Sequence, residues 1–215
     1  IMNSQNNSSD SLNIYEFSIN DKKYELVKNK YTWSEAALIS FERGGILAEV
    51  NSREEQDSIY SAIVASNITP SATKAPDGGN IGYVWLGGND LDEEGIWVWD
   101  GGNDGVKINF WEGNSTGNPI DSLYNNWGNE PDNFSNQDAL GMALASWPRG
   151  EAGEWNDVNA NNNLYFVIEY DTSIVRIDSI FYNYDDDSII IDPNLQSQYD
   201  SIQIILDDSL IYTHY

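Results

Sequence analysis

Hydrophobic and polar residues alternate at the start of the chain. Large apolar residues recur at short intervals: Ile14, Phe17, Ile19, Tyr24 and Leu26. Asn20 and Asp21 interrupt this pattern and favour a tight turn. The alternation predicts two strands within residues 12–27, and the polar stretch from Met2 to Ser11 is expected to be frayed.

Two capping boxes then predict two helices. Thr32 and Glu35 form the first, and that helix runs through a largely apolar stretch to Gly44-Gly45. Ser52 and Glu55 form the second. The buried stripe of the second helix is predicted to comprise Ile59, Ile63 and Val64.

From Asn67 to about Val158 the sequence becomes rich in Gly, Asn and Asp. Two short strands are predicted there, Tyr83–Leu86 and Ile96–Trp99. A loop region of this length in a compact domain usually serves a function, and its tryptophans favour order over disorder. Leu164–Tyr170 follows as a closing strand.

Residues 171–215 change in character again. Short apolar runs predict strands at Ile174–Phe181, Ile189–Ile191 and Ile202–Leu206, separated by Asp-rich turns. We interpret this segment as a β-rich appendage or as part of a neighbouring β-sandwich. The Asp185–Asp187 run is either a further cation site or, more simply, a solvated hairpin tip.

Composition narrows the possible functions. Ten basic residues against 35 acidic ones give a net charge of −25, which repels nucleic acid and anionic membranes and suits a protein that collects cations. No apolar run approaches membrane-spanning length, and residues 1–3 do not resemble a signal peptide. A start at Ile1 suggests a fragment whose export signal lies outside it.

The chain contains no cysteine and a single histidine, His214. These counts exclude disulfides, zinc thiolate sites and thiol nucleophiles, and they make a Ser–His triad or an imidazole metal cluster very difficult to build. Coordination of a hard cation by oxygen ligands remains.

Three loop segments concentrate carboxylates and side-chain amides: residues 89–95, 129–138 and 154–157. Each segment alone is more simply a solvated turn. Together they supply the six to eight oxygens that Ca²⁺ prefers, and a cation would relieve the repulsion among their carboxylates.

At these residues the chain resembles the C-type-lectin-like domains. Trp85-Leu86-Gly87-Gly88 is similar to their Trp-Ile-Gly-Leu signature, and Glu130-Pro131-Asp132 to the Glu-Pro-Asn of their sugar-binding loop. Trp155-Asn156-Asp157 is similar to the Trp-Asn-Asp of the strand that follows this loop in the family. The resemblance covers residues 15–170, with residues 1–14 as a flexible or neighbouring-domain segment. It implies an α+β fold with two helices, small antiparallel sheets and a long Ca²⁺-binding loop region, followed by the additional C-terminal β segment.

The resemblance also implies metal ligands. Carried over from the family, the principal Ca²⁺ site comprises Glu130, Asp132, Gln137, Asn156 and Asp157. The family usually has Glu at the position of Gln137, so Asp138 is the alternative ligand there. A second Ca²⁺ site, present in some relatives, maps to Asp90, Glu94, Asn133 and Asp138, with Gln137 shared. The Glu130–Pro131 bond is expected to be cis.

The implied function is Ca²⁺-dependent sugar binding without catalysis. Two vicinal hydroxyls would contact the ion, and the carbohydrate-binding residues would be Glu130, Asp132, Phe134, Asn156 and Asp157. Glu130 favours fucose or mannose-type sugars, whereas Asp132 belongs to the galactose pattern. Phe134 either stacks on a sugar or simply covers the loop. The alternative function is a Ca²⁺-stabilised module that binds protein or ice.

The missing cysteines depart from animal members of the family and resemble bacterial ones. They suggest a module of a larger multidomain adhesin, extracellular or at the cell surface, with cell-surface glycans as its partners. Neither nucleic acid binding nor membrane insertion is expected.

Overall fold

The computed structural model describes residues 13–170, apart from Asp104 and Val106, and the backbone of four short strands within residues 181–214. The chain divides into two compact units, Ile1–Ser173 and Ile174–Tyr215. Each unit is described by itself.

The first unit contains two helices, α1 and α2, and eleven strands within its described residues. The helices are α1 (Trp33–Glu42) and α2 (Arg53–Ala65). The strands are β1 (Ile14–Ile19), β2 (Lys22–Tyr31), β3 (Ile46–Leu47), β4 (Lys74–Ala75), β5 (Ile81–Asn89), β6 (Ile96–Trp99), β7 (Ile108–Glu112), β8 (Asn118–Pro119), β9 (Ala139–Ala143), β10 (Trp155–Val158) and β11 (Leu164–Tyr170). Among the described residues, no helix is both long and apolar enough to cross a bilayer.

Both predicted helices are confirmed, but only one capping box is complete. At α1, the Thr32 hydroxyl accepts from the Glu35 amide and the Glu35 carboxylate accepts from the Thr32 amide. At α2, Ser52 accepts from the Glu55 amide, whereas the Glu55 carboxylate accepts instead from the Asn51 amide at 2.8 Å. The reciprocal half of the second predicted box is therefore wrong.

The buried stripe of α2 differs from the predicted one by a single residue. Ile59 and Ile63 are fully buried, but Val64 is 60% exposed. Val64 follows Ile63 directly, so the helix rotates it about 100° away from the core. Gln56 takes the place next to Ile59 on the buried face.

The α+β fold with two helices that the resemblance implies is confirmed, and its strands join in one mixed sheet rather than in several small antiparallel ones. Its main order is β1-β2-β11-β5-β6-β7-β8. The remaining strands join at its sides: β3 on β11, β4 on β5, and β9 between β5 and β10. Strands β11 and β5 are parallel, with Tyr165 opposite Val84 and Phe166 opposite Trp85. The closing strand thus lies in the middle of the sheet.

Strand β9, like β7 and β8, lies in the region where the residue pattern predicted only loops beyond Trp99. Strand β10 falls on Trp155-Asn156-Asp157, which the resemblance places in a strand. Every residue of β9 and β10 is buried. A strand that is covered on both faces shows no polar–apolar alternation, and β9 consists mainly of Ala, Gly, Leu and Met. These two strands carry or flank the residues of the candidate site.

The core beneath the long loops is built from aromatic side chains. Trp99 stacks on Phe110 with ring centroids 4.4 Å apart, and both lie edge-on to Trp155. Trp97 meets Trp127 at 4.7 Å. Packing of this kind stabilises each ring pair by about 0.5–1.5 kcal/mol beyond simple burial, and it gives the loops a rigid base.

The second unit contains two antiparallel pairs among its described residues. Phe181–Asn183 (β12) pairs with Ser188–Ile190 (β13), and Ile202–Leu206 (β14) pairs with Ser209–His214 (β15). The strand predicted at Ile202–Leu206 is confirmed. The predictions for residues 174–180, Ile191, Asp185–Asp187 and Met2–Ser11 lie outside the described residues.

Candidate functional site

Strand β10 forms the base of the candidate site. It pairs with β9, with Asn156 opposite Gly141 and Asp157 opposite Leu140. Its first residue, Trp155, donates its indole N–H to Gln56 Oε1 of α2 at 2.8 Å. This buried hydrogen bond fixes β10 against the helix, so Asn156 and Asp157 project from a fixed backbone.

The loop that follows Trp127 lies against β10. The Gly128 amide donates to the Trp155 carbonyl at 3.0 Å. Two residues later, the peptide bond between Glu130 and Pro131 is cis, as predicted. The Asp157 Oδ2 atom accepts from the backbone amides of Asp132 at 2.9 Å and Asn133 at 2.6 Å. One buried carboxylate therefore holds the loop in place.

Three carboxylates meet where the loop and β10 touch. Glu130, Asp132 and Asp157 each offer an oxygen, and these oxygens lie within 4.8 Å of one another. Among the described residues this is the only group of three His, Cys, Asp or Glu side chains that comes so close. Glu130 and Asp157 are buried, at 3% and 0% exposure, whereas Asp132 faces solvent.

Burial and mutual repulsion make this cluster costly without a cation. Burial, followed by the nearby charges of Glu130 and Asp132, raises the pKa of Asp157 to about 8. Burial also raises the pKa of Glu130. Glu130 Oε2 and Asp157 Oδ1 are both buried and have no hydrogen-bond partner. Unsatisfied carboxylate oxygens of this kind fit a hard cation such as Ca²⁺.

Two neutral amides complete the oxygen donors. Asn156 is buried and donates its Nδ2 to the Tyr83 hydroxyl at 2.9 Å. Gln137 is buried and donates its Nε2 to Asp77 Oδ2 at 3.0 Å. Since both nitrogens are engaged in this way, the side-chain oxygens of both residues are left to act as acceptors.

Asp77 is a residue that the sequence analysis missed. Its Oδ2 also accepts from the Asn159 amide at 2.7 Å, and its Oδ1 accepts from Asn162 Nδ2 at 2.6 Å. Asp77 therefore orients Gln137, and it also lines the cavity at the cluster. No local motif marks it, because its partners lie 60 to 85 residues away in the sequence.

Arg149 and Trp147 were also missed as site residues. The Arg149 Nε lies 2.9 Å from Glu130 Oε1 and 3.3 Å from Asp132 Oδ2, and the Trp147 indole donates to Glu130 Oε1 at 3.2 Å. Glu130 thus has one oxygen with two protein partners and one without any.

The residues of the second predicted group also contact one another. Asp90 is buried, and its backbone amide donates to the Asp138 carbonyl at 3.1 Å, while Asn133 donates its Nδ2 to Glu94. Asp90 Oδ1 is buried without a partner, and burial, followed by Glu94 and Asp138, raises the pKa of Asp90 to about 7. Asp138 therefore lies with the residues of the second predicted Ca²⁺ site, whereas Gln137 lies with those of the principal one.

An open cavity of about 230 Å³ covers the first group. Its lining comprises Asp77, Gly78, Gly79, Glu130, Asp132, Phe134, Gln137, Trp147, Pro148, Arg149 and Asn156. Phe134 stands at the rim and is 64% exposed. The cavity is large enough for one monosaccharide-sized group and offers it acidic, amide and aromatic surfaces together.

The sequence of the chain is similar to those of known proteins. The model of the lectin C-type domain family matches residues 29–169. Collectin-10 of Gallus gallus is 25% identical over 152 residues, which are 70% of this chain and 42% of that protein. The galactose-specific lectin nattectin of Thalassophryne nattereri is 32% identical over 78 residues, 36% of this chain and 40% of its own. The match therefore spans less than half of each of these relatives.

Among solved structures, human lithostathine has a TM-score of 0.53 with this chain at 19% identity. The alignment covers 73% of this chain and 97% of that one. A likeness at this identity concerns the fold alone.

Proposed function

The chain belongs to the C-type lectin domain family, and from this premise we propose that it binds carbohydrate through a Ca²⁺ ion. The proposed ligands of the ion are Glu130, Asp132, Gln137, Asn156 and Asp157. The observation that supports the proposal most is the pair of buried, unpartnered oxygens on Glu130 and Asp157, within a cluster of three carboxylates. When bound, Ca²⁺ supplies open coordination positions for two vicinal sugar hydroxyls.

The residues of the chain supply the remaining contacts. Carboxylate oxygens of Glu130 and Asp132 accept hydrogen bonds from sugar hydroxyls, and such charge-assisted bonds are about twice as strong as neutral ones. Asp157 keeps the loop closed over β10 through the two backbone amides that it accepts from. The cavity is open, so a monosaccharide would bury only part of its own surface there, and we expect affinities on the order of 1 mM, or about −4 kcal/mol.

For the sugar, we propose fucose or mannose-type ligands on Glu130, with galactose as the competitor to test. Asp132 is acceptor-only, so it lacks the amide donor of the mannose-type pattern. Phe134, exposed at the cavity rim, is suitably placed to stack on an apolar sugar face. The match to galactose-specific nattectin covers 36% of the chain, and galactose therefore belongs in any ligand panel.

A second Ca²⁺ ion at Asp90, Glu94, Asn133 and Asp138 forms a further part of the proposal. The buried, unpartnered Asp90 Oδ1 supports it. The carboxylates of this group are less closely gathered than those of the first, so we assign it a stabilising role for the long loops.

The proposed setting is a surface adhesin that acts outside the cell on cell-surface glycans. The absence of cysteine and the net charge of −25 support it, as does a second β-rich unit in the same chain. Multivalent display on a larger protein would turn weak single contacts into firm adhesion. Nattectin carries the name of a lectin rather than that of an enzyme, and we propose no catalytic activity.

The test is a glycan array of fucose, mannose and galactose ligands, with Ca²⁺ and with a chelator. We expect binding only with Ca²⁺, and we expect Asp157→Asn to abolish it because the variant loses a proposed ligand oxygen. Asp57→Asn is the matched control, since Asp57 is exposed on α2 away from the cavity. Undiminished binding by the Asp157 variant would refute the site, and a folded protein that binds no glycan would favour a protein or ice partner instead.

A further inference from the structure

Arg149 places a cation directly over the acidic cluster. Its Nε lies between Glu130 Oε1 and Asp132 Oδ2, at 2.9 and 3.3 Å. It is the only Lys or Arg among the described residues that line the cavity, and its side chain is 36% exposed. Arg149 therefore contacts both the cluster and whatever enters the cavity.

The backbone around Arg149 is held firmly. Trp147 and Gly150 exchange backbone hydrogen bonds of 2.9 and 3.2 Å, and Asn129 N donates to the Arg149 carbonyl at 2.6 Å. Gly128 packs on the Trp147 ring, where an added Cβ would lie only 3.0 Å from it. The position of the guanidinium is thus set by the turn and by two carboxylates.

The Arg149 guanidinium has N–H donors that its ion pairs with Glu130 and Asp132 do not use. Arginine carries five N–H groups in a planar fork, and its ion pairs here use Nε. The hydrogen bonds found among the described residues include none from the two terminal nitrogens, Nη1 and Nη2. A planar fork of free N–H donors matches the paired oxygens of a carboxylate or sulfate.

The charge balance of the site points to the same ligand. With the proposed Ca²⁺ bound, Glu130, Asp132 and Asp157 would all be ionised, and their three negative charges would exceed the two positive charges of the ion. Arg149 supplies the remaining positive charge, so a single anionic group can enter without net repulsion. Because Arg149 is the sole basic residue in the described lining of this cavity, an anion that enters the cavity would find its favourable contact there.

We propose that Arg149 selects glycans that carry an anionic substituent, a carboxylate or a sulfate, next to the hydroxyls at the principal site. This inference rests on the proposed function. Nη1 and Nη2 bind the anionic group, while Nε keeps Glu130 and Asp132 aligned. Arg149 is a specificity-determining residue of the lectin site.

The test compares matched ligand pairs on the full chain at fixed Ca²⁺ and ionic strength. Methyl glucuronide is compared with methyl glucoside, and methyl galactoside 6-sulfate with methyl galactoside, by titration calorimetry. We expect the anionic member of at least one pair to bind about tenfold more tightly, a difference of about 1.4 kcal/mol. Which pair responds distinguishes carboxylate from sulfate.

Arg149→Gln should bring the preference ratio to about one, and Arg149→Lys, which keeps the charge but loses the fork, should retain part of it. The lysine variant covers the case in which the glutamine variant fails to fold. Arg53→Gln, on the exposed surface of α2, is the matched control and should leave the ratio unchanged.

The outcomes separate the two proposals. Ca²⁺-dependent binding of neutral sugars without an anionic preference overturns the role of Arg149 and leaves the lectin function standing. A glutamine variant that loses neutral and anionic ligands in equal proportion also overturns it, because Arg149 would then only align the carboxylates. A wild-type chain that binds neither member of any pair overturns the lectin function and this inference together.

Discussion

At the scale of single residues, Asp157 combines a structural and a proposed ligand role. Its Oδ2 holds the loop through two backbone amides, while its Oδ1 is buried and unpartnered. The same side chain that closes the loop is therefore the one that a bound cation would satisfy. Loop order and metal binding are coupled through this residue.

The raised pKa of Asp157 predicts a pH dependence for the ion-free protein. The pKa rises from 3.8 to about 8 on folding, so the folded state binds more protons than the unfolded state between these values. The contribution of Asp157 to the free energy of unfolding should be largest below about pH 4, and it should fall as the pH rises toward 8. Asp157 alone contributes a slope of at most about 1.4 kcal/mol per pH unit.

Urea unfolding in chelator at pH 5, 6 and 7 measures this slope. The comparison variant is Asp157→Asn, which should remove the part of the slope that is due to Asp157 and leave the part due to Asp90 and Glu130, whose pKa values are also raised. A wild-type stability that rises steadily over this range would contradict the prediction.

Asp77 is predicted to tune cation affinity without touching the ion. It holds Gln137 Nε2 at 3.0 Å and is itself fixed by Asn159 and Asn162. Residues that orient metal ligands typically change affinity by 10–100-fold when they are removed. We therefore expect Asp77→Ala to weaken Ca²⁺ binding by about tenfold or more in a calorimetric titration, with Asp57→Ala as control. Equal affinities for the two variants would show that Gln137 needs no such support.

At the scale of elements, α2 shows why neighbouring apolar residues differ in importance. Ile63 is 1% exposed, whereas Val64 is 60% exposed. Ile63→Ala should lower the free energy of unfolding by about 2–5 kcal/mol through the lost contacts and the cavity it leaves. Val64→Ala should change it by less than about 0.5 kcal/mol. Denaturant unfolding checks both, and similar losses would mean that α2 is rotated from the orientation described here.

The elements also show how far the sequence predicts the fold. Helices α1 and α2 were predictable because capping residues and helical periodicity are local signals, as was the strand alternation on either side of Asn20-Asp21. Strands β9 and β10 were not predictable from the residue pattern, since a strand buried on both faces shows no alternation, and only the resemblance at Trp155-Asn156-Asp157 indicated β10. The parallel pairing of β11 with β5 is a long-range contact that no local pattern marks.

Some residues of the candidate site were likewise predictable from the sequence, and others were not. Glu130, Asp132, Asn156 and Asp157 were identified from short motifs, and the structure brings all four to one cavity or its floor. Arg149 was not identified, because its role depends on contacts with Glu130 and Asp132, which lie 19 and 17 positions earlier in a loop of irregular backbone. Its only sequence signal was a lone basic residue within an acidic region, which is too common to be decisive.

At the scale of the whole molecule, bound Ca²⁺ should stabilise the protein by mass action. At a free concentration one hundred times the dissociation constant, the stabilisation is about 2.7 kcal/mol. For a chain of this size it corresponds to a rise in melting temperature of roughly 5–10 °C. Calorimetric melts with Ca²⁺ and with chelator measure the shift, Mg²⁺ serving as the control ion, and superimposable curves would contradict a Ca²⁺ site in the folded state.

The division of the chain yields a second prediction at this scale. All proposed ligands lie in the unit Ile1–Ser173. A fragment of residues 1–173 should fold and should bind glycans within about threefold of the full chain, as measured by titration with the same ligands. A larger loss of affinity, from a fragment whose melting is cooperative, would assign residues 174–215 a part in binding.

The place of β11 in the sheet has a consequence for biosynthesis. This strand lies between β2 and β5, yet it is the last strand of its unit to leave the ribosome. Until residue 170 has emerged, β2 and β5 have no partner between them, and the nascent chain must keep its tryptophan-rich segments from aggregating. Translation that stops before Leu164 therefore yields a product without its central strand, one that quality-control proteases would be expected to remove.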